Sequence, residues 1–185
     1  TCVKPSGTVS QLTNSASGIH PRYNEHYIRR VRNDKKDPLS QVLIDHGVPY
    51  MTDPYNEHSW VFEFPQKAHK NAITRKEVGP IEQLGLWKKF ALSWCEHKPS
   101  MTCYVGENQW PEVGAWVWNN FDIMSGVSFL PSADEGHIYE AAPYEDCTKE
   151  GYLSLRDCMP KTIDWETLKE NQDNTTGMQE LACTG

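Results

Sequence analysis

Apolar residues along this chain recur at two different spacings, and the switch between them marks the elements. Compact apolar or alternating runs at 27–32 (Tyr-Ile-Arg-Arg-Val-Arg), 60–64 (Trp-Val-Phe-Glu-Phe), 101–105 and 127–130 predict strands. Pro65 is expected to stop the second and Pro131 the last. Three- and four-residue steps predict helices between them. Asp37 caps a short one, with Pro38 in its first turn, Leu39, Val42 and Leu43 as its stripe and Gly47 at its end. A longer one begins at Pro80, with Ile81, Leu84, Trp87, Ala91 and Trp94 on the buried face. The next starts at Pro111, carries Val113, Trp116, Val117, Phe121 and Met124 on one side, and is closed by Gly126. Residues 66–78 are polar and predict a loop. Strand and helix therefore alternate from 27 to 130, which favours an α/β arrangement with helices over a sheet or barrel; α+β is the competing layout. Beyond Pro131 the pattern thins. Residues 139–144 are irregular, Thr148 can cap a helix reaching Leu155, and the chain from about 160 is polar, which predicts a mobile tail. No internal repeat is evident.

Composition narrows the classes. The 185 residues suffice for one domain with a core, or for part of a larger one, and the missing initiator Met is what a fragment or processed product would show. A net charge of −7 argues against nucleic-acid binding, which needs a basic face. The cluster Arg29, Arg30, Arg32, Lys35 and Lys36 reads first as a solvated strand end, second as an anion or acidic-partner site. No run approaches the ~18 apolar residues of a membrane span, and no secretory signal opens the chain. Six widely spaced cysteines without a Cys-x-x-Cys pair favour a reducing, cytoplasmic setting. The seven histidines lack zinc-type spacing and read as surface or turn residues. The acidic residues Glu107, Glu112, Asp134, Glu135, Glu145 and Asp146 form no catalytic pair and read as surface charge. The tryptophans could form a stacking platform, but most sit at helix-face spacing, which favours a core; Trp118 falls off the stripe and should be exposed or at an interface.

One stretch carries candidate chemistry. Lys4-Pro5-Ser6-Gly7-Thr8-Val9-Ser10 packs a proline, a glycine and three hydroxyls just ahead of Leu12. Such a loop feeding a helix start can hold an anion on free N–H groups, with hydroxyl donors from Ser6, Thr8 and Ser10 and charge from Lys4. It reads equally as an ordinary capped helix behind a turn, and it is not a Walker loop, because the Gly-Lys-Ser/Thr ending is missing. His20 and Arg22, on the turn that follows, are candidate ligand contacts or, equally, parts of a turn with a surface salt bridge. Cys183, near the chain end, is a candidate redox shuttle on a flexible tether, or an incidental thiol.

These segments in order resemble the C-terminal part of the catalytic chain of adenosylcobalamin-dependent (class II) ribonucleotide reductases, including phage-like members. The resemblance rests on 1–11 (Thr-Cys-Val-Lys-Pro-Ser-Gly-Thr-Val-Ser-Gln), 18–22, 27–32, 34–38, 94–100, 112–117, 125–131, 142–145, 173–177 and 180–183, nearly the whole chain. It implies a portion of a ten-stranded α/β barrel over 1–160 and a tail over 161–185. It implies thiyl-radical reduction of ribonucleotides with adenosylcobalamin in the complete enzyme. Ser6, Gly7, Thr8, Val9 and Ser10 would then bind substrate phosphates, and Cys183 would match the first tail cysteine. The implied partners are a ribonucleotide, the upstream part of the reductase chain and a thioredoxin-like reductant, in a cytoplasm that would be the host's if the gene is phage-borne. The family's finger-loop Asn-x-Cys-x-Glu is absent, so the 185 residues are not expected to turn over alone. A reductase using a di-metal radical partner would carry an adjacent Tyr-Tyr, which is absent here. A non-enzymatic tryptophan-rich binding module is the remaining alternative.

Overall fold

The computed structural model describes residues 1–132 and 140–169. In chain order the elements are α1 (Val9–Leu12), β1 (His26–Asp34), α2 (Pro38–Asp45), β2 (Tyr50–Thr52), β3 (Ser59–Lys67), α3 (Pro80–Ser93), β4 (Met101–Val105), α4 (Trp110–Asn119), β5 (Val127–Pro131), β6 (Tyr144–Asp146) and α5 (Lys149–Cys158). They divide into two compact units, one built from Thr1–Glu25 with the chain from Ala68 onward to Gly136, the other from His26–Lys67 with the chain from His137. The architecture is mixed α/β, and among the described residues neither of the two sheets closes on itself.

The first unit is a β4–α4–β5 crossover with α3 packed against it. β4 and β5 pair in parallel, Met101 opposite Val127 through Val105 opposite Pro131, and a parallel pair needs such a helical connection. Met101, Cys103 and Val105 point to one face because side chains alternate along a strand. There they meet Leu84 and Trp87 of α3, Val113 of α4 and Ile19, all buried in one core. The Trp87 indole N–H is satisfied by the Pro99 carbonyl at 3.3 Å. The Cys103 thiol lies in this core, and burial pushes it up to about 11.

Three expectations change here. Trp94 was expected on the buried stripe but is 60% exposed. Helix α3 ends at Ser93, Trp94 is its C-cap with φ −126°, and the side chain leaves the helical period there. Phe121 is also exposed, because α4 stops at Asn119, where Asn120 turns back to donate from Nδ2 to the Trp116 carbonyl at 2.7 Å. Gly126 therefore does not close α4. Its φ of +59° and the 2.6 Å that would separate an added Cβ from the Pro99 carbonyl make it the residue that lets β5 start beside Met101. Trp118 is exposed, as its place off the stripe predicts.

The second unit is a four-stranded antiparallel sheet in the order β2-β3-β1-β6. Trp60, Phe62 and Phe64 of β3 share a face with α2, where Leu43, Val48 and Phe62 form a core joined by Met159 and Ile163. The Asp37 cap is as predicted, its carboxylate accepting from the Leu39 N–H at 2.8 Å, and Thr148 caps α5 on the Gly151 N–H. β3 runs through Pro65 to Lys67 instead of stopping. The Glu63 N–H reaches outward to the Pro49 carbonyl, so the Pro65 nitrogen two residues on faces the same side, past the end of the β2 pairing, where no donor is needed.

The basic cluster is not a solvated strand end. Arg30, 8% exposed, is paired across the sheet with Glu63 at 2.8 Å and also binds Glu145. Burial works against its charge, but the hydrogen bonds and charges of Glu145 and Glu63 outweigh it and hold the guanidinium protonated above its ordinary range. Arg29 lies over the Tyr144 ring and donates to the Pro143 carbonyl; Arg32 binds the buried Asp53 and the Ala141 carbonyl; Lys35 lies over Trp60. Glu145 is thus an internal partner and not free surface charge. His26 is buried beside Tyr152, and the two ring nitrogens of His46 engage the Val42 carbonyl and the Asp164 N–H. Replacing Arg30 by Ala should lower stability in urea unfolding by ~2 kcal/mol, below the cost of a fully buried pair because Glu145 keeps contact with water. An unchanged midpoint would show that the cluster holds nothing.

Candidate functional site

The Lys4–Ser10 loop is held at both ends. Upstream, the chain runs beside residues 97–100: the His97 and Ser100 N–H groups donate to the Thr1 and Val3 carbonyls at 3.1 and 3.0 Å. Lys4 Nζ donates to Ser100 Oγ at 2.7 Å, which ties the side chain to the 97–100 segment. Pro5 borders a cleft of ≈310 Å³ with Ser100, Met101, Thr102, Gly126, Val127 and Ser128.

Beyond Pro5 the candidate residues separate into two kinds. Ser6 and Ser10 hold the loop. The Ser6 N–H donates to Ser17 Oγ at 2.7 Å, and the Ser10 hydroxyl, in a residue only 4% exposed, donates to the Ser6 carbonyl at 2.6 Å. Gly7, Thr8 and Val9 lie outside, Val9 at 63% exposure. Thr8 sits at the N-cap of α1 with φ −115° and ψ −51°, and its hydroxyl makes no capping bond. Among the described residues, the N–H groups of Gly7, Thr8 and Val9 donate to no protein acceptor. Three consecutive amides of exposed residues and the hydroxyls of Ser6 and Thr8, without a partner among the described residues, are what an anion would meet.

His20 and Arg22 lie behind the loop. His20 Nε2 accepts from the Thr102 N–H at 2.9 Å, and its Nδ1 faces the Ser17 carbonyl at 2.7 Å. A backbone amide can only donate and a carbonyl only accept, so these partners select the neutral ring with the proton on Nδ1. Arg22, 5% exposed, donates from Nη1 to the Ser15 carbonyl at 2.7 Å, and Ser15 in turn donates its N–H to the Ser10 carbonyl. Ser17 is the residue the sequence reading passed over. The one signal it offered was its place before Gly18 in a turn-forming run. Cys183 lies outside the described residues. The described cysteines Cys2, Cys95, Cys103, Cys147 and Cys158 are all free thiols.

Comparison with known proteins finds named relatives of the chain. A probable adenosylcobalamin-dependent ribonucleoside-triphosphate reductase of Dictyostelium discoideum is 31% identical over 178 residues, 92% of this chain and 23% of its own. Adenosylcobalamin-dependent ribonucleoside-triphosphate reductases of Lactobacillus leichmannii and Lactobacillus gasseri are each 30% identical, over 82% and 99% of this chain and 21% and 25% of theirs. The crystal structure of a B12-dependent (class II) ribonucleotide reductase superposes with a TM-score of 0.71 at 28% identity, covering 90% of this chain and 23% of that one. The chain is homologous to the adenosylcobalamin-dependent ribonucleotide reductases. It spans about a quarter of the length of the reductases it matches. No protein-family model matches it.

The left-handed turn at Gly18, φ +60°, brings Ser17 against Ser6, and an added Cβ would sit 3.1 Å from the Lys4 carbonyl oxygen. Gly18→Ala is therefore expected to cost ~1–2 kcal/mol from backbone conformation alone, measured by denaturant unfolding. Wild-type stability would mean the reversal is not held in this form.

Proposed function

We propose that this chain supplies the substrate-phosphate loop and part of the barrel wall of an adenosylcobalamin-dependent ribonucleotide reductase, which converts ribonucleotides to deoxyribonucleotides by thiyl-radical chemistry. The observation that carries the reading is the row of outward N–H groups at Gly7, Thr8 and Val9, in a chain whose homologues bear the name ribonucleoside-triphosphate reductase. In this proposal Gly7, Thr8 and Val9 meet the phosphate oxygens through their amides, with the Thr8 hydroxyl adding a fourth donor. Ser6 and Ser10 hold the loop in shape. His20 and Arg22 act from behind it and not as ligand contacts.

The wider assignments follow from the same homology. Residues 1–160 would belong to a ten-stranded α/β barrel, in which the two open sheets are completed by strands from the rest of the reductase. Residues 161–185 would form the tail, with Cys183 carrying electrons from a thioredoxin-like reductant. Adenosylcobalamin, when bound by the complete enzyme, supplies the radical. No helix among the described residues is long and apolar enough to cross a membrane.

Tryptophan fluorescence titration of the chain with a nucleoside triphosphate tests the loop. Saturable binding is expected, weakened roughly tenfold or more in Thr8→Val, since a hydrogen bond to a charged group contributes ~1.5–3 kcal/mol. Equal affinity of the two proteins would remove the Thr8 hydroxyl from the site, and no binding by either would remove the loop.

A further inference from the structure

His20 connects the loop to the sheet. Thr102 of β4 donates its N–H to His20 Nε2 at 2.9 Å; the Nδ1–H of His20 donates to the Ser17 carbonyl at 2.7 Å; and Ser17 Oγ meets both the N–H of Ser6 at 2.7 Å and its carbonyl at 3.2 Å. The His20 backbone N–H also donates to the Ser17 carbonyl, so that oxygen takes two bonds from one residue. The result is a path of hydrogen bonds from a strand whose alternate residues are buried to Ser6 of the loop. Each joint is directional, and the ring cannot shift without breaking one of its two bonds.

We propose that His20 is a positioning residue for the anion loop. It fixes Ser17, and through Ser17 the backbone of Ser6, so that the amides of Gly7, Thr8 and Val9 are aligned before a ligand arrives. The cost of ordering the loop is then met on folding rather than on binding. α1 is a single turn of four residues and cannot hold this alignment by itself. The inference rests on the phosphate reading of the loop made above.

Two readouts separate this role from simple packing. The first is hydrogen exchange at the hydrogen-bonded loop amides of Ser6 and Gln11 in the 185-residue chain. His20→Leu removes both ring bonds, and roughly tenfold faster exchange is expected there, as losing ~1.4 kcal/mol of local hydrogen bonding implies. His20→Asn, which retains a donor toward the Ser17 carbonyl, should recover part of the protection. Ser17→Ala leaves His20 and Thr102 intact and should loosen the same residues, which keeps the test valid if His20→Leu fails to fold. The second is the Kd for inorganic tripolyphosphate, expected to rise roughly fivefold in His20→Leu and in Ser17→Ala as preorganisation is lost.

Exchange and affinity both at wild-type values in these variants would overturn the proposal. So would a uniform rise in exchange over β4 and the core, which is the mark of general destabilisation. If the wild-type chain binds no tripolyphosphate, the phosphate reading falls, while local exchange at Ser6 and Gln11 still decides whether His20 orders the loop.

Discussion

A left-handed residue at Gly18 reverses the chain, and the character of the candidate site depends on that reversal. It sets Ser17 against Ser6 and brings His20 within reach of Thr102. A glycine is needed because a Cβ there would press on the Lys4 carbonyl in a backbone region that side chains disfavour. With the turn in place, the inward polar groups of Ser6, Ser10 and Ser15 are satisfied by one another and by Ser17 and Arg22. The outward amides of Gly7, Thr8 and Val9 are left for something else. A loop whose inner bonds are complete and whose outer donors are not is suited to bind without first rearranging.

The same division of labour runs through the second unit, with charges in place of hydroxyls. Arg29, Arg30 and Arg32 project from one strand, and each is spent on the segment 141–145 or on a carboxylate of the sheet. This accounts for a basic cluster in a chain of net charge −7 without invoking an anionic partner. Buried charge of this kind survives only when each group is matched, and Arg30 with Glu63 and Glu145 meets that condition.

Much of this architecture was legible in the sequence because it is written in local chemistry. The caps at Asp37 and Thr148, the prolines opening α2, α3 and α4, and the two apolar periods all act within a few residues of where they are read. What was not legible depends on distant partners. Pro65 continues a strand because β2 ends beside it, a fact set by register. Trp94 and Phe121 fall off their stripes because the helices end one residue or two too soon for them. The arginines of β1 are bound by carboxylates and carbonyls up to more than a hundred positions away. In the candidate site the loop itself stood out by composition, but its division into holding residues and outward donors required knowing where Ser17 and Thr102 lie. His20 and Arg22 were singled out as residues of interest, but their bonds to Ser17, Thr102 and Ser15 depend on the fold.

The central claim is that the outward amides at Gly7, Thr8 and Val9 receive the phosphates of a nucleotide. Backbone amide chemical shifts of the chain titrated with a ribonucleoside triphosphate test it residue by residue. The account predicts the largest, saturable shifts at residues 7–9, with smaller ones at Ser6, Ser10 and Ser17. Shifts concentrated elsewhere, or none at the loop while the nucleotide binds, would contradict it.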